Sequence, residues 1–139
     1  MLSTTMTRQN LSGSSPYEPI IGFSRAVRAG NAIYISGTGP VGAEDQDVEA
    51  QTRQIFKIAA ETLERAGSSL NDVVRTRMYL TRAEDWETVG RVHGELFREV
   101  RPAATMIVVA QLLNPKWRVE IELDAVLQPA QVIPYAEGQ

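Results

Sequence analysis

The chain has 139 residues and a formal net charge of −3 at pH 7, and it contains no Cys. This length is typical of a single domain, and the absence of Cys excludes disulfides, thiol catalysis and thiolate metal ligands. The negative charge, without a cluster of Lys and Arg, argues against nucleic-acid binding. No apolar run is long enough for a membrane span. The absence of Cys fits a reducing compartment, so we expect a cytoplasmic protein.

The N-terminal part of the chain is predicted to contain a tail and a β-hairpin. Residues 1–14 are polar and rich in Ser and Thr, which predicts a flexible tail. Phe23–Val27 and Ala32–Ser36 are strand-like runs, and the Gly30-Asn31 pair between them supplies the positive φ angles that a hairpin turn needs. The two strands are therefore expected to pair antiparallel.

A first helix is predicted from Asp47, which can act as its N-cap, to Ala66. Gly67 follows, in a position suited to a left-handed end of the helix. We expect the stripe at helical spacing to face the core. It consists of Val48, Ile55, Ala59, Thr62, Leu63 and Ala66.

A strand and a second helix are predicted next. Val73–Leu80 alternates, which is typical of a strand. One face carries Val74, Thr76, Met78 and Leu80, and the other carries Val73, Arg75, Arg77 and Tyr79. The spacing then predicts a helix from about Glu84 to Val100, opened by a capping box from Thr81 to Glu84 and followed by Pro102. Its inner stripe consists of Trp86, Val89, His93, Leu96, Phe97 and Val100.

Two strands, Thr105–Ala110 and Arg118–Leu127, complete the predicted domain, which covers residues 15–128. The first of them presents apolar residues toward both faces of the sheet. These are Met106 and Val108 on one face, and Ile107 and Val109 on the other. Residues 129–139, with two prolines, are predicted to form a C-terminal tail or arm.

The order β-β-α-β-α-β-β predicts an α+β fold with a single sheet. Each strand-helix-strand step needs a right-handed crossover, which puts both helices on the same face of that sheet. The other face has no helix, although Thr105–Ala110 is apolar toward it. We infer that another copy of the chain covers this face, so the protein is predicted to be a homo-oligomer.

A glycine pattern and a single histidine are candidate functional features. Gly37, Gly39 and Gly42 fit G-x-G-x-x-G after a strand, as in a dinucleotide-binding turn. Pro40 removes a donor from this loop and the helix begins too late, so we favour an ordinary Gly-rich turn whose N–H groups can still approach a ligand. His93 is the only His in the chain, and its place on the inner stripe favours a packed histidine over a catalytic or metal-binding one.

Three acids alternate with apolar residues in the last strand and so share the face opposite to the core. They are Glu120, Glu122 and Asp124. One interpretation pairs them with Arg75 and Arg77 in a ladder of ion pairs. The other keeps one carboxylate in a cleft, where burial raises its pKa and suits it to general acid or base work. We favour ion pairs for Glu122 and Asp124, and both interpretations stay open for Glu120.

Five short motifs occur in the order in which a known family has them. They are Ser15-Pro16-Tyr17, Gly30–Gly37, Ala66–Val74, Arg101–Ala104 and Val119–Glu122. From Tyr17 to Leu127 the chain resembles the RidA/YjgF family, also labelled endoribonuclease L-PSP. The resemblance implies a chorismate-mutase-like fold, a homotrimer whose sheets form a central barrel, and intersubunit clefts that bind a small metabolite.

The resemblance also implies an activity. Members of the RidA branch hydrolyse enamines and imines, as 2-iminobutanoate/2-iminopropanoate deaminases do, to 2-keto acids and ammonia, without a metal or an organic cofactor. Glu120 matches the family's water-orienting glutamate and is the implied catalytic residue. Tyr17, Ser36 and Gly37 match residues of the substrate cleft.

The sequence departs from the family where the substrate carboxylate is bound. In the RidA branch an Arg in a Pro-Ala-Arg-Ser stretch grips this carboxylate with two charge-assisted hydrogen bonds. The matching residue is Ala104, followed by Thr105 and Met106, while a cleft Asn has become Gly90 and an aromatic position is His93. Candidate replacements for the missing cation are Arg101, Arg118 and Arg25.

Three functional hypotheses follow. The first is a divergent RidA-like trimer that hydrolyses an imine or a related C–N bond with water oriented by Glu120. The alternative is a trimer that binds a ligand or a protein partner without turnover. The third is an endoribonuclease, which rests on the family label alone and is disfavoured by the acidic charge of the chain.

Overall fold

Across residues 7–127 and Ala136, which the computed structural model describes, all strands lie in one six-stranded sheet with the order β1-β2-β3-β6-β4-β5. The strands are β1 Arg8–Leu11, β2 Ala26–Ala29, β3 Ala32–Thr38, β4 Val73–Leu80, β5 Ala103–Val108 and β6 Val119–Val126. The helix α1, Val48–Arg65, connects β3 to β4, and α2, Trp86–Phe97, connects β4 to β5.

Both helices pack on the same face of this sheet, as the sequence predicts. Neighbouring strands are antiparallel except β4 and β5, which are parallel. α1 contacts β3, β6 and α2. The largest fully buried side chains between the layers include Ile33, Ile55, Phe56, Leu63, Leu80, Ile121 and Leu123. The predicted α+β class is therefore confirmed, and in the described part of the chain no helix has the length and hydropathy needed to cross a bilayer.

The first helix and the hairpin follow their local signals. The Asp47 side chain accepts a hydrogen bond from Ala50 N at 2.9 Å, which is the expected N-cap. Gly30 between β2 and β3 has a φ of 61°, and Gly67 after α1 has a φ of 86°, whereas Asn31, predicted to share the positive φ of the hairpin turn, does not have one. The predicted stripe of α1 is buried throughout. These features depend on residues close in sequence, which is why the sequence predicts them well.

The N-terminal segment differs from its prediction. Arg8–Leu11, expected within a flexible tail over residues 1–14, form β1 and pair antiparallel with β2 at the sheet edge. Leu11 is buried, whereas the three preceding residues are exposed. A strand of polar residues shows no apolar alternation, so hydropathy gives no signal for it. The predicted arm at 129–139 lies outside the described residues, apart from Ala136.

Two predicted strands keep their type but shift along the chain. The strand predicted at Phe23–Val27 is Ala26–Ala29, because Glu18–Gly22 forms a π-helical turn and the strand begins only after it. The strand predicted at Thr105–Ala110 is Ala103–Val108. Ala104, which stands in place of the family arginine, therefore lies inside β5 rather than in the loop before it.

The second helix is shorter than predicted and keeps part of its predicted inner face. A 3₁₀ turn at Ala83–Asp85 precedes α2 and occupies the predicted capping box. Val89 and Phe97 are buried, as predicted. Trp86 and Leu96, predicted to face inward, are 59% and 39% exposed.

A β-bulge in β4 reverses part of its predicted alternation. Val73 pairs with Ala125 and Arg75 with Asp124, so Val74 is an extra residue between them. Val73 is consequently buried and Val74 is exposed, the opposite of the predicted faces. The alternation holds from Thr76 onward, where no further residue is inserted.

Candidate active site

Glu120 lies on the face of the sheet that carries no helix. In β6, Val119, Ile121 and Leu123 are buried in the core, so Glu120 points to the other side. It pairs in register with Tyr79 of β4. Its side chain is half-buried, and within the described part of the chain its carboxylate accepts no hydrogen bond.

Gly37 lies beside this carboxylate in a second β-bulge. The pairing of β3 with β6 shifts between Ile35 and Thr38, so that β3 contains one extra residue. A Cβ on Gly37 would overlap the carboxylate of Glu120. The bulge therefore places the Gly37 backbone against the Glu120 carboxylate. Ser36 and Gly37, which are predicted to belong to the same cleft as Glu120, lie next to it.

The surroundings of Glu120 raise the pKa of its carboxyl on balance. Burial raises the pKa of the Glu120 carboxyl above its ordinary value, and the negative charge of Glu122 adds to the rise. The positive charge of Arg25 opposes both effects. Because desolvation disfavours a charged carboxylate, such a group exchanges a proton more readily than an exposed glutamate does.

Arg25, the residue before β2, binds the bulge directly. Its Nη2 donates to the Ser36 oxygen at 2.7 Å, to the Gly37 oxygen at 2.9 Å and to Thr38 Oγ1 at 2.8 Å. Burial lowers the pKa of its guanidinium, and the charges of Glu18 and, to a lesser extent, Glu120 oppose this. The sequence suggests Arg25 only as a cation for the substrate. It does not predict these contacts, because they join segments through the fold.

The other two acids of β6 form the predicted ion pairs, but with one arginine. Arg77 Nη1 lies 3.3 Å from Glu122 Oε1 and 3.4 Å from Asp124 Oδ2. The Tyr79 hydroxyl donates to Glu122 Oε1 at 3.0 Å. Arg75, predicted as the second partner, is exposed beside the β4 bulge and forms no ion pair among the described residues.

A groove of about 400 Å³ lies on the same face, next to the candidate catalytic residue. Its walls include Ser36, Arg77, Glu122 and Asp124, but not Glu120. Arg77 is paired with both of the acids in these walls. The groove therefore lies beside Glu120 rather than around it.

A second group of predicted site residues lies on the helix-covered face. His93 of α2 has its Nε2 2.8 Å from Thr76 Oγ1, and Thr76 pairs in register with Ala104 of β5. A Cβ on Gly90 would lie 3.9 Å from Met106 Cε. Four predicted residues, two from α2 and two from β5, are thus neighbours.

The His93 ring packs among aromatic side chains. Its centroid lies 4.6 Å from that of Phe97 and 6.0 Å from that of Phe56. Burial lowers the pKa of His93, so the neutral ring is favoured at pH 7. This geometry agrees with a packed histidine, and in the described ranges no group of three or more His, Asp or Glu is arranged to hold a metal ion.

Three further predicted residues lie apart from both groups. Thr105 is exposed on the helix-free face of β5, in register with Arg77. Arg101 has a φ of 50°, and its Nε donates to the Arg98 oxygen at 3.1 Å. Tyr17 is 58% exposed and directly precedes the π-helical turn. Their binding roles stay predictions.

The sheet separates the two groups of predicted site residues. One group consists of Ser36, Gly37 and Glu120, and the other consists of Gly90, His93, Ala104 and Met106. Side chains on opposite faces of one sheet cannot contact the same small molecule. One chain by itself therefore does not bring all the predicted site residues together.

Arg118 is engaged elsewhere and does not replace the missing arginine. Its Nε and Nη2 donate to the Asp85 carboxylate at 3.1 and 2.7 Å. Asp85 is only 4% exposed, so the pair connects the start of α2 to β6. Asp85 is not predicted from the sequence, because no local pattern relates two residues so far apart in the chain.

The glycine pattern after β3 has packing roles rather than a dinucleotide-binding role. A Cβ on Gly39 would overlap the Trp117 ring, and Gly42 has a φ of 95°. The next helix begins only at Val48, well beyond this turn. The ordinary Gly-rich turn is therefore the correct interpretation, with Gly37 as the one member that contacts the candidate catalytic residue.

Similarity to known proteins agrees with this arrangement. A crystal structure of a Mycobacterium tuberculosis member of the YjgF/YER057c/UK114 family matches with a TM-score of 0.81 and 40% identity, over 87% of this chain and 100% of that one. A Streptomyces coelicolor protein described as uncharacterized is 34% identical over 126 residues, 88% of this chain and 94% of its own length. The 3-aminoacrylate deaminase RutC of Acinetobacter baylyi is 32% identical over 108 residues, 74% of this chain and 85% of its own length.

The family itself follows from the match over the domain. The family model described as endoribonuclease L-PSP matches residues 13–127, which include every strand from β2 to β6 and both helices. The fold shared with the Mycobacterium tuberculosis protein agrees with this match. The chain therefore belongs to the endoribonuclease L-PSP family, also called RidA/YjgF.

Proposed function

We propose that the protein is a homotrimer that hydrolyses an enamine or imine in a cleft between two copies, with a water molecule oriented by Glu120. The observation that carries the proposal is the half-buried Glu120 carboxylate, which lies against the Gly37 bulge and has a raised pKa. The relative named 3-aminoacrylate deaminase supports the substrate class, since 3-aminoacrylate is an enamine.

The reaction needs only proton transfers and the addition of water. An enamine first becomes an imine when a proton leaves its nitrogen and a proton is added to its β-carbon. Glu120 accepts a proton from water as the water oxygen bonds to the imine carbon, and it returns this proton to nitrogen. The remaining hydroxyl proton is then transferred through Glu120 to nitrogen as the C–N bond breaks, so that ammonia leaves and a carbonyl group remains. No electrons are gained or lost, and the proposed reaction uses no metal or organic cofactor.

A second copy of the chain is proposed to complete the cleft. The helix-covered group around His93 and Ala104 would come from the neighbouring copy, because the sheet separates it from Glu120 within one chain. Ile107 and Val108 at the exposed edge of β5 are 46% and 54% exposed, as expected of a surface that a partner covers. We propose that this assembly acts in the cytoplasm, a reducing compartment suited to a chain without Cys, and cell fractionation tests the location.

The first test replaces the proposed catalytic carboxylate. Glu120→Gln removes the proton acceptor and nearly preserves shape, so the rate of loss of freshly generated 2-aminoacrylate is expected to fall by roughly 10²–10⁴-fold. Asp124→Asn is the matched control, because Asp124 lies on the same face of β6 but is paired with Arg77 at 3.4 Å and is not among the charges that shift the pKa of Glu120. A Glu120→Gln protein as fast as the wild type would contradict the proposal.

The second test restores the family arginine. Ala104 is exposed on the edge strand β5, so a longer side chain there meets no core residue. Ala104→Arg is expected to increase kcat/KM for a substrate with a carboxylate, since a bidentate guanidinium contributes roughly 1.5–3 kcal/mol per charged hydrogen bond. An unchanged or lower kcat/KM would show that this substrate binds without that contact.

Ala104 also favours a second candidate function, a trimer that binds a metabolite or protein partner without turnover. Without a guanidinium that makes two hydrogen bonds to a carboxylate, such a cleft accepts ligands that have no carboxylate. Glu120→Gln distinguishes the two functions, because it would leave the affinity of a binder nearly unchanged and abolish the rate of an enzyme. Cleavage of RNA, which the family description names, is disfavoured by the net charge of −3, and an assay at low salt tests it.

A further inference from the structure

Arg25 supports the irregular part of β3 next to Glu120. A β-bulge disrupts the regular ladder of backbone hydrogen bonds, so the carbonyl groups there need other donors. The single nitrogen Nη2 of Arg25 lies within 2.7 to 2.9 Å of acceptors on Ser36, Gly37 and Thr38. These are three consecutive residues, and they span the bulge.

The bulge in turn limits where the catalytic carboxylate can lie. The Glu120 carboxylate occupies the space where a Cβ of Gly37 would be, so any shift of Gly37 changes that space. Arg25 holds the Gly37 carbonyl at 2.9 Å. The position of the carboxylate is thus coupled to Arg25 through one residue.

We propose that Arg25 is a positioning residue for Glu120. Arg25 fixes the bulge against which the Glu120 carboxylate lies, and it supplies a positive charge that offsets the burial of this carboxylate. The catalytic meaning of this inference rests on the proposed function. The contacts and the charge effect do not depend on it.

The charges around Glu120 support the inference. The titratable groups that face Glu120 are Arg25 before β2, Glu122 on its own strand and Tyr79 on β4. Glu122 raises the pKa of Glu120, as burial does, and Arg25 is the one of these groups that lowers it. Arg25 lies beyond the range of a direct ion pair with Glu120, so it acts through space and through the bulge rather than by capping the carboxylate.

The same contacts argue against Arg25 as the substitute for the missing substrate-binding arginine. Its Nη2 already serves three acceptors, and its Nε is buried without a hydrogen-bond partner in the described part of the chain. A guanidinium that grips a carboxylate needs two nitrogens directed at it. Arg25 acts on the protein's own carboxylate through Gly37, rather than on the carboxylate of a substrate.

The direct test is a titration of the Glu120 carboxyl in the unliganded full-length protein. The side-chain ¹³C resonance of Glu120 reports the titration, and the Glu120→Gln protein is used to assign this resonance. Arg25→Gln is expected to shift the pKa of Glu120 upward, whereas Arg25→Lys, which keeps the charge, leaves it near that of the wild type. Arg28→Gln is the matched control, because Arg28 also donates to two backbone oxygens, Gly30 at 2.9 Å and Ala66 at 2.7 Å, away from Glu120.

In the enzyme assay, Arg25→Gln is expected to lose more kcat/KM at acidic than at neutral pH, since more of Glu120 is protonated there. An Arg25→Gln protein whose Glu120 titrates as in the wild type, or an Arg28→Gln protein with the same upward shift, overturns the inference. Failure of the proposed function would appear separately, as a Glu120→Gln protein with full activity and an unaltered Arg25 effect on the titration.

The wild type provides a second measurement if Arg25→Gln does not fold. The Nε–H resonance of Arg25 is expected to shift with an inflection at the pKa of Glu120, and Glu120→Gln is expected to abolish this inflection. Glu18 also acts on the pKa of Arg25, so a step that persists in Glu120→Gln would come from Glu18. Such a persistent step, or the absence of any step in the wild type, would overturn the inference without any Arg25 variant.

Discussion

Gly37 has no room for a side chain, because the Glu120 carboxylate occupies the space that its Cβ would take. In Gly37→Ala the carboxylate is the flexible partner and has to move, so the fold is expected to survive. A reacting group displaced by about 1 Å costs roughly 100-fold in rate. We therefore expect Gly37→Ala to lower kcat/KM for 2-aminoacrylate by about that factor with little change in Tm.

The control for this substitution is Gly94→Ala in α2. A Cβ on Gly94 would meet no atom within 4 Å, and Ala is favoured over Gly in a helix by about 1 kcal/mol. Gly94→Ala is thus expected to keep the rate and to raise Tm slightly. A Gly37→Ala protein with wild-type kcat/KM would show that the reaction does not depend on the position of the Glu120 carboxylate against Gly37.

Among the elements, α2 and β6 are joined by the ion pair of Asp85 and Arg118. Asp85 is 4% exposed and receives two hydrogen bonds from Arg118, at 3.1 and 2.7 Å. Arg118→Ala leaves a buried carboxylate without its partner, and this is expected to lower the free energy of unfolding by about 3–5 kcal/mol. Urea denaturation followed by circular dichroism measures the loss.

The matched control is an exposed pair between helices. Arg53 of α1 contacts Glu49 at 3.1 Å and Glu95 of α2 at 3.0 Å, with all three side chains nearly half exposed. Arg53→Ala is expected to leave the free energy of unfolding nearly unchanged, because water solvates these charges almost as well. If Arg118→Ala and Arg53→Ala lowered the free energy of unfolding equally, the larger stabilisation assigned to the buried pair of Asp85 and Arg118 would be contradicted.

The type of each long element could be predicted from the sequence, and the local register could not. The stripe of α1 and the alternation of β6 repeat over many residues, so both were identified correctly. The bulges at Val74 and near Gly37 depend on which residues of β6 lie opposite. A single inserted residue moves every earlier side chain to the other face, and no pattern within one strand reveals it.

For the whole molecule, the expected state is a homotrimer. The edge strand β5 exposes Ile107, and Leu113 in the loop after it is 98% exposed. A soluble chain rarely leaves an apolar sheet edge uncovered, because such edges associate. Light scattering at micromolar concentration is expected to give three times the protomer mass of 15.3 kDa. The mass of a single folded protomer would contradict the proposed cleft.

A charge on this surface tests the same assembly. Ile107→Asp places a carboxylate on the helix-free face of β5 and is expected to reduce the mass of the assembly and the rate together. Gln46→Asp, which adds the same charge on an exposed turn before α1, is the control and should leave both unchanged. A fully active trimer of Ile107→Asp would place the subunit contact elsewhere.

The sequence by itself determined the α+β class, the connection of the helices, the family and Glu120 as the candidate catalytic residue. Each of these depends on periodicity or on short motifs, which are local properties of the chain. Only the tertiary structure decided that Arg25 binds the bulge, that Arg118 is engaged by Asp85, and that the sheet divides the predicted site residues into two groups. Those relations join residues far apart in the chain, and they depend on strand register and packing, which one-dimensional patterns do not encode.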